Sequence, residues 1–447
     1  MKRASKRRYL LLILALALAG RVALLTKAWQ SDAIALGSPD SASYLSTAKS
    51  LSADGTFRTD GRPELFRTPG YPAFLAACGA TGPWGYGIAQ AFQVLLDVLL
   101  VYLTYVLGVW LISESVGLWA AAFQAVSFVA ALGSLLILSD SLFAFLMTTA
   151  LLLLVRHLRR GTWWPVALAA VVTAAAAYVR PVGFIFVPIA VLVLLARRGR
   201  LANAGGFALV FAVLVIPWCI RNYVVAGYAG FSSVGEHNLL YYEATGVTAK
   251  VRGVSTLEAR EDLDSLFRQR RAALNIPANS AEAARLQGRM GREIVLSHPG
   301  TWLVVHVKTS VNSLLPAGTG LLEILGITSG SHGTLSVLHT EGIWSAVKHY
   351  FSFGPGLAAV LWIVPELVLL AVRYLACLAY AVRQLWRQKL NWGAAGWLVV
   401  LTILAFVLVA GPAAVPRFRA PVEPLVNLGA AAGLVWLARR RSAGKAT

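Results

Sequence analysis

The sequence predicts an all-α polytopic membrane protein of about ten transmembrane helices, with short surface helices and a helical cap on one face. Three observations predict it. The 447 residues are 57% hydrophobic and only 13% charged, where a soluble globular chain carries about 25% charged residues. Mean hydropathy is +0.66, and the apolar residues gather into runs long enough to cross a hydrocarbon core, about 17 to 25 residues each. Finally, the basic residues concentrate at alternate ends of those runs.

Taken along the chain, the runs are 9–28, 86–111, 116–132, 136–155, 163–179, 182–196, 202–219, 356–382, 392–410 and 420–437. Lys2, Arg3, Lys6, Arg7 and Arg8 precede the first. Arg156, Arg159 and Arg160 follow the fourth, and Arg197, Arg198 and Arg200 the sixth. Arg383, Arg387 and Lys389 follow the eighth, and Arg439, Arg440, Arg441 and Lys445 end the chain. By the positive-inside rule these face the cytoplasm, so both termini are expected there, and an even number of crossings agrees. The loops 29–85 and 220–355 then face outward. The chain divides into an N-terminal transmembrane part with the first outer loop (1–219), a large outer-face region (220–355) and C-terminal helices with a basic tail (356–447).

The net charge of +20 is explained by this placement, and nothing suggests a nucleic-acid partner, since the outer loops are nearly balanced in charge. The first run also has a signal-peptide look, with Ala15, Ala17 and Ala19 before Gly20, but apolar character resumes through Val22–Leu25, as expected of an uncleaved span. Cys78, Cys219 and Cys377 are scattered and form neither a zinc spacing nor an obvious disulfide pair.

Both outer loops far exceed the usual connection of about 4 to 6 residues. In the first, Asp40–Leu51 places Tyr44, Leu45, Ala48 and Leu51 on one helical face, which suits a helix at the membrane surface, ended by Gly55, Gly61 and Pro63. In the second, Glu258–Glu293 is polar and rich in helix formers, so exposed helices interrupted at Asn275–Asn279 are expected. Thr301–Leu315 is short for a span and carries His306 and Lys308, as an outer-face or re-entrant helix would.

Chemistry concentrates where charge meets the apolar runs. Asp40 opens the surface helix, where a carboxylate caps free N–H groups or acts as a general base or metal ligand. Arg67 precedes Thr68-Pro69-Gly70-Tyr71-Pro72, a stiff bend that would hold its guanidinium at phosphate depth, as a phosphate ligand or a headgroup anchor. Arg180 lies at the outer end of the fifth run, and Arg417 and Arg419 lie in the outer link GPAAVPRFRAPVEP. The positive-inside rule does not ask for charge on that face, so these arginines suit an anionic substrate, or else snorkel. Asp97, Asp140 and Glu366 sit in or at the ends of apolar runs, and are candidates on that ground. Asp140 is the best placed, as an accessory group or a helix cap; the alternative for Asp97 and Glu366 is pairing with arginines such as Arg21 or Arg373, and no sequence argument selects the partners. His237 is a candidate accessory group or metal ligand at the start of the large loop.

Together the segments PDSASY, FRTPGYPAF, SDSLF, YVRPVGF and PRFRAPVEP, in this order and on this side, resemble the polytopic glycosyltransferases of the GT-C type that use lipid-phosphate sugars. The likeness is to bacterial family 39-like relatives of the protein O-mannosyltransferases and lipid A aminoarabinose transferases. It covers most of 1–220 and 390–437 and little of the middle loop. The resemblance implies that Asp40 is the base and helps hold a divalent cation, Mg2+ or Mn2+. A second acid after it and a Glu-Lys pair before the next proline, found in several members, are replaced here by Ser41 and by Arg67 and Thr68, departures that bear on metal dependence.

The expectation is an inverting membrane glycosyltransferase of the bacterial cell envelope. It would take a sugar, a hexose or pentose, from a polyprenyl phosphate donor to a hydroxyl of a glycan, lipid or protein at the outer membrane face. Asp40 would be its base and Arg67, Arg180, Arg417 and Arg419 its phosphate ligands. The alternative is a transporter or flippase of a lipid-linked or small polar substrate. Such proteins often show related halves, which this sequence does not.

Overall fold

The structure, a computed structural model, describes residues 3–30, 39–80, 82, 85–196, 200–327, 337, 341–352, 357–388 and 393–443. Lys2, Arg197, Arg198, Lys389 and Lys445 of the basic clusters, and 31–38 of the first outer loop, lie outside the described residues.

The protein is helical throughout, apart from one two-stranded hairpin among the described residues. The N-terminal part contains α1 (Arg3–Trp29), α2 (Pro39–Asp54), α3 (Gly70–Ala77), α4 (Gly85–Leu111), α5 (Glu114–Ala125), α6 (Phe128–Leu135), α7 (Asp140–Arg160), α8 (Trp164–Val179), α9 (Phe186–Leu195) and α10 (Arg200–Ala226). The middle part contains α11 (Val234–Asn238), α12 (Thr245–Arg252), α13 (Thr256–Ala273), α14 (Ala281–Ser297), α15 (Pro299–Ser310), α16 (Gly318–Ile324) and α17 (Ile343–Ser352). The chain ends with α18 (Leu357–Gln388), α19 (Gly393–Leu408) and α20 (Glu423–Ala443).

Each of the ten apolar runs is largely helical, and the fold is a polytopic membrane one. Among the described residues five helices, in α1, α4, α7, α10 and α18, are long and apolar enough to cross a membrane. The run 116–132 becomes α5 and α6, bent by 52°, because Ser127 leaves the helix with extended backbone and its hydroxyl accepts from the Ala130 N–H at 3.4 Å. Counting that pair gives six; α8, Pro181–Leu195 and α19 are shorter, so length alone does not reach ten crossings. Leu12 and Leu16 on α1, Leu209, Val213 and Ile216 on α10, and Leu375 and Leu378 on α18 remain exposed, an apolar rim that only lipid can solvate.

Inside the bundle, small residues let the helices approach. A methyl group on Gly108 would stand 2.5 Å from the Gly117 Cα, so α4 and α5 pack backbone to backbone. Buried charges are paired, as burial requires. Arg21 meets Asp97 at 2.8 Å, a partner the sequence did not select. Glu366 takes neither arginine. Its carboxylate accepts from the Ala317 and Gly318 N–H groups, both at 2.7 Å, capping the start of α16. Arg373 instead binds Glu423 at 2.5 Å, because α18 packs along α20.

The two ends of the bundle differ. Lys6 binds Glu114 at 2.7 Å, and Arg159 donates to the Trp110 carbonyl. The start of α1 and the ends of α4 and α7 therefore gather at the basic end. Asp140 begins α7, and about 1.5 Å per residue over its length carries the chain to the opposite end. There the first outer loop, the helical cap and the link between α19 and α20 meet. The cap has its own core of Leu240, Tyr241, Leu263, Phe267, Leu286 and Met290. Its break falls where expected, with Asn275 and Asn279 at φ 51° and 54°, left-handed conformations that asparagine tolerates. The segment expected to form a short outer-face or re-entrant helix forms α15: His306 contacts the Leu408 carbonyl at 2.7 Å, fixing it to the end of α19.

Candidate active site

Asp40 stands in the first turn of α2, and both of its oxygens are held. Oδ1 accepts from Arg67 Nη2 at 2.7 Å and Oδ2 from Arg417 Nη2 at 2.6 Å. Arg417 Nη1 also lies 3.7 Å from Oδ2 of Asp140, whose Oδ1 accepts from Arg180. The five side chains thus form one row in the order Arg67, Asp40, Arg417, Asp140, Arg180. Three guanidinium groups face two carboxylates, a net positive site. Asp140 Oδ2 is buried with no hydrogen-bond partner among the described residues.

Local structure explains how five distant residues meet. Asp60 and Gly61, with φ 51° and 73°, turn a hairpin that pairs Arg58 with Pro63 and Thr59 with Arg62. Beyond it Glu64 Oε1 accepts from the N–H groups of Phe66 and Arg67 at 2.6 and 2.9 Å, fixing the backbone that carries Arg67. The Arg67 side chain donates from Nε to Ser43 Oγ at 2.8 Å and lies 4.4 Å over the Tyr44 ring, a cation–π contact. Gly70 then touches α8: a methyl group there would stand 2.7 Å from the Tyr178 carbonyl carbon. That approach sets the Arg67 bend beside the end of α8, where Arg180 leaves the helix with extended backbone ahead of Pro181. Tyr71 in turn donates to Gln93 Oε1 at 2.6 Å, and Gln93 donates to the Leu136 carbonyl at 2.7 Å, which ties α3 through α4 to the end of α6.

The arginines of the last link separate. Pro416–Arg419 is a 3-10 turn, in which residues two apart point in different directions. Arg417 reaches Asp40, whereas Arg419 is buried, binding Glu423 at 2.6 Å and the Ser313 and Leu315 carbonyls at 3.1 Å each. Arg419 is therefore placed in the structural ion cluster with Arg373 and Glu423, away from Asp40. His237 is also outside the row. It packs against Phe66 and Tyr241, with ring centroids 5.2 and 4.6 Å away.

Burial pulls the Asp40 carboxyl up, but the hydrogen bonds and charges of Arg417 and Arg67 outweigh it and hold the group at about 2. Burial would lower Arg417, and the charges of Asp140 and Asp40 raise it. His237 is lowered to about 4 by burial and by Arg260 and Arg67, so it is neutral near pH 7. No group of three or more His, Cys, Asp or Glu side chains able to hold a metal gathers among the described residues. With both Asp40 oxygens on guanidiniums and Arg417 standing between the two carboxylates, this donor set does not suit a divalent cation.

Ser43, Glu64 and Gln93, and the hydroxyl of Tyr71, are supports that the sequence pattern does not mark. Gln90 and Gln93, two amides one helical turn apart in an apolar run, are the available signal: both donate to carbonyls at or just past the end of α6.

The chain matches a solved structure of the oligosaccharyltransferase AglB of Archaeoglobus fulgidus. In complex with an inhibitory peptide and a dolichol-phosphate, that protein is 15% identical over 99% of this chain and 52% of its own, with a TM-score of 0.52. An Archaeoglobus fulgidus oligosaccharyltransferase in the apo form is 14% identical over 100% of this chain and 52% of its own, with a TM-score of 0.55. This chain shares the fold of these structures. The family described as dolichyl-phosphate-mannose-protein mannosyltransferase matches residues 84–233, which hold Asp140 and Arg180 but not Asp40, Arg67 or Arg417. The chain spans about half the length of the solved structures it matches. No curated protein matches it.

Proposed function

We propose that the protein is an inverting glycosyltransferase that moves a hexose or pentose from a polyprenyl phosphate donor to a hydroxyl acceptor at the outer membrane face, both termini being cytoplasmic. The observation that carries the reading is Asp40 held between Arg67 and Arg417, in a fold shared with solved oligosaccharyltransferase structures. The mannosyltransferase family is named for a dolichyl phosphate sugar, and one AglB structure holds a dolichol-phosphate, which supports a donor of that kind.

The geometry suggests a sequence of contacts. A donor phosphate competes for the guanidiniums of Arg67, Arg180 and Arg417, and as they turn toward it Asp40 is released from two of its cationic partners. Its basicity rises at the moment an acceptor needs a base. The acceptor oxygen then attacks the anomeric carbon and its proton passes to Asp40. The carbon–oxygen bond to phosphate breaks, and the leaving polyprenyl phosphate keeps the electron pair. Oriented donors facing such a developing charge are worth about 3 to 4 kcal/mol each in favourable sites.

The test is sugar transfer from synthetic polyprenyl phosphate donors by purified protein in nanodiscs, wild type against Asp40→Asn. Donor consumption that vanishes in the variant is expected. Consumption at the wild-type rate would remove Asp40 from the chemistry, and no consumption of any donor by folded protein would favour transport.

A further inference from the structure

A cavity of about 350 Å3 lies between the first outer loop and the cap, with Phe66, the neighbour of Arg67, in its wall. Phe66, His237 and Phe267 contribute rings to its lining; Glu64, Arg271 and Gln287 contribute polar groups. The wall is shared with the row of charges. Glu64 fixes the Arg67 N–H at 2.9 Å, and the Arg67 guanidinium lies 4.8 Å over the Phe66 ring. Arg67 therefore touches both the cavity wall and Asp40.

The lining differs from the Asp40 row in charge. There three arginines oppose two aspartates, as an anion requires; here Arg271 is balanced by Glu64, and His237 is neutral. Arg271 Nε is a buried donor with no hydrogen-bond partner among the described residues. Rings that take the apolar face of a ligand, beside amide, carboxylate and guanidinium groups that take its hydroxyls, match a sugar ring. The volume falls at the lower end of ligand pockets, about 300–1,000 Å3, enough for a short saccharide but not for a folded domain.

We propose that this cavity is the acceptor subsite and that the acceptor is the hydroxyl-rich end of an uncharged carbohydrate, with Arg271 and Gln287 as its specificity-determining residues. The assignment rests on the glycosyltransferase reading and adds the acceptor class to it. A ring held against Phe66 presents its hydroxyl past Arg67 toward Asp40, which takes the proton as the new glycosidic bond forms and polyprenyl phosphate departs.

Saturation-transfer NMR on the full chain in nanodiscs tests it, with neutral di- and trisaccharides and serine-containing peptides as probes. Saccharides are expected to bind wild type and Asp40→Asn alike, and to bind Arg271→Gln and Gln287→Ala at least tenfold more weakly. Binding of peptides only, binding of no saccharide at millimolar concentration, or equal saccharide binding by all variants would overturn the assignment. Binding of a polyprenyl phosphate donor, measured separately on the same samples, reports on the glycosyltransferase reading: donor bound by protein that ignores saccharides leaves that reading standing and removes only this one.

Discussion

Replacing Arg417 with glutamine takes one guanidinium from Asp40 and from Asp140 at once. At about 4 Å between charge centres and an effective dielectric near 20, the lost attraction is about 4 kcal/mol. The Asp40 side chain is 35% exposed, so solvent screening brings the net effect down to about 1 kcal/mol, close to one pKa unit. Asp40 now titrates at about 2. Its folded value lies below its unfolded one, so the stabilisation it provides is present above the ordinary carboxylate value of 3.8 and is lost as pH falls toward 2. In Arg417→Gln the stabilisation is smaller, and its loss still begins at the ordinary carboxylate value but is complete about one unit higher. The acid limb of donor kcat/KM, which reports the free enzyme, moves up with it, and the rate at pH 7 drops about 100-fold or more through loss of a phosphate donor. The assay is donor consumption in nanodiscs from pH 3 to 9. A profile and rate indistinguishable from wild type would refute the coupling between Arg417, Asp40 and the phosphate.

Glu423→Ala leaves Arg373 and Arg419 buried without their shared carboxylate, and should destabilise the protein by about 3–5 kcal/mol, seen as a lower Tm in detergent; an unchanged Tm would contradict the ion cluster. Gly70→Ala should lower activity more than stability, since the added methyl would displace the Arg67 bend from Tyr178; parallel rate and Tm measurements separate the two. Gln93→Leu orphans the buried Tyr71 hydroxyl and should cost about 1–3 kcal/mol, read by thermal unfolding. His237→Asn should leave the pH profile between 5 and 8 unaltered, because His237 is neutral there.

Much of the architecture was legible because lipid imposes it: every apolar run named from composition is largely helix. What composition could not show is where a run bends, since the residues around Ser127 are as apolar as their neighbours and the break depends on one hydroxyl cap. The same holds in the site. Asp40, Arg67, Arg180, Arg417 and Asp140 stood out as charges beside apolar runs, and they converge. Arg419 stood out equally, yet a tight turn directs it to Glu423, and no pattern in PRFR distinguishes it from Arg417. Partner choice was equally hidden: Glu366 and Glu423 both lie in the C-terminal part with Arg373, and only the packing of α18 on α20 selects Glu423.

The row of charges draws its members from nearly the whole length of the chain, with Asp40 and Arg417 separated by 377 positions. During synthesis the N-terminal portion emerges first, and it carries Asp40 and Arg67 long before Arg417 is made. A ribosome must therefore read past α19 before the row can close. Nascent chains that stop short of that link lack one side of the clamp around Asp40, so the order of synthesis itself withholds a finished site until the helices beneath it have been inserted.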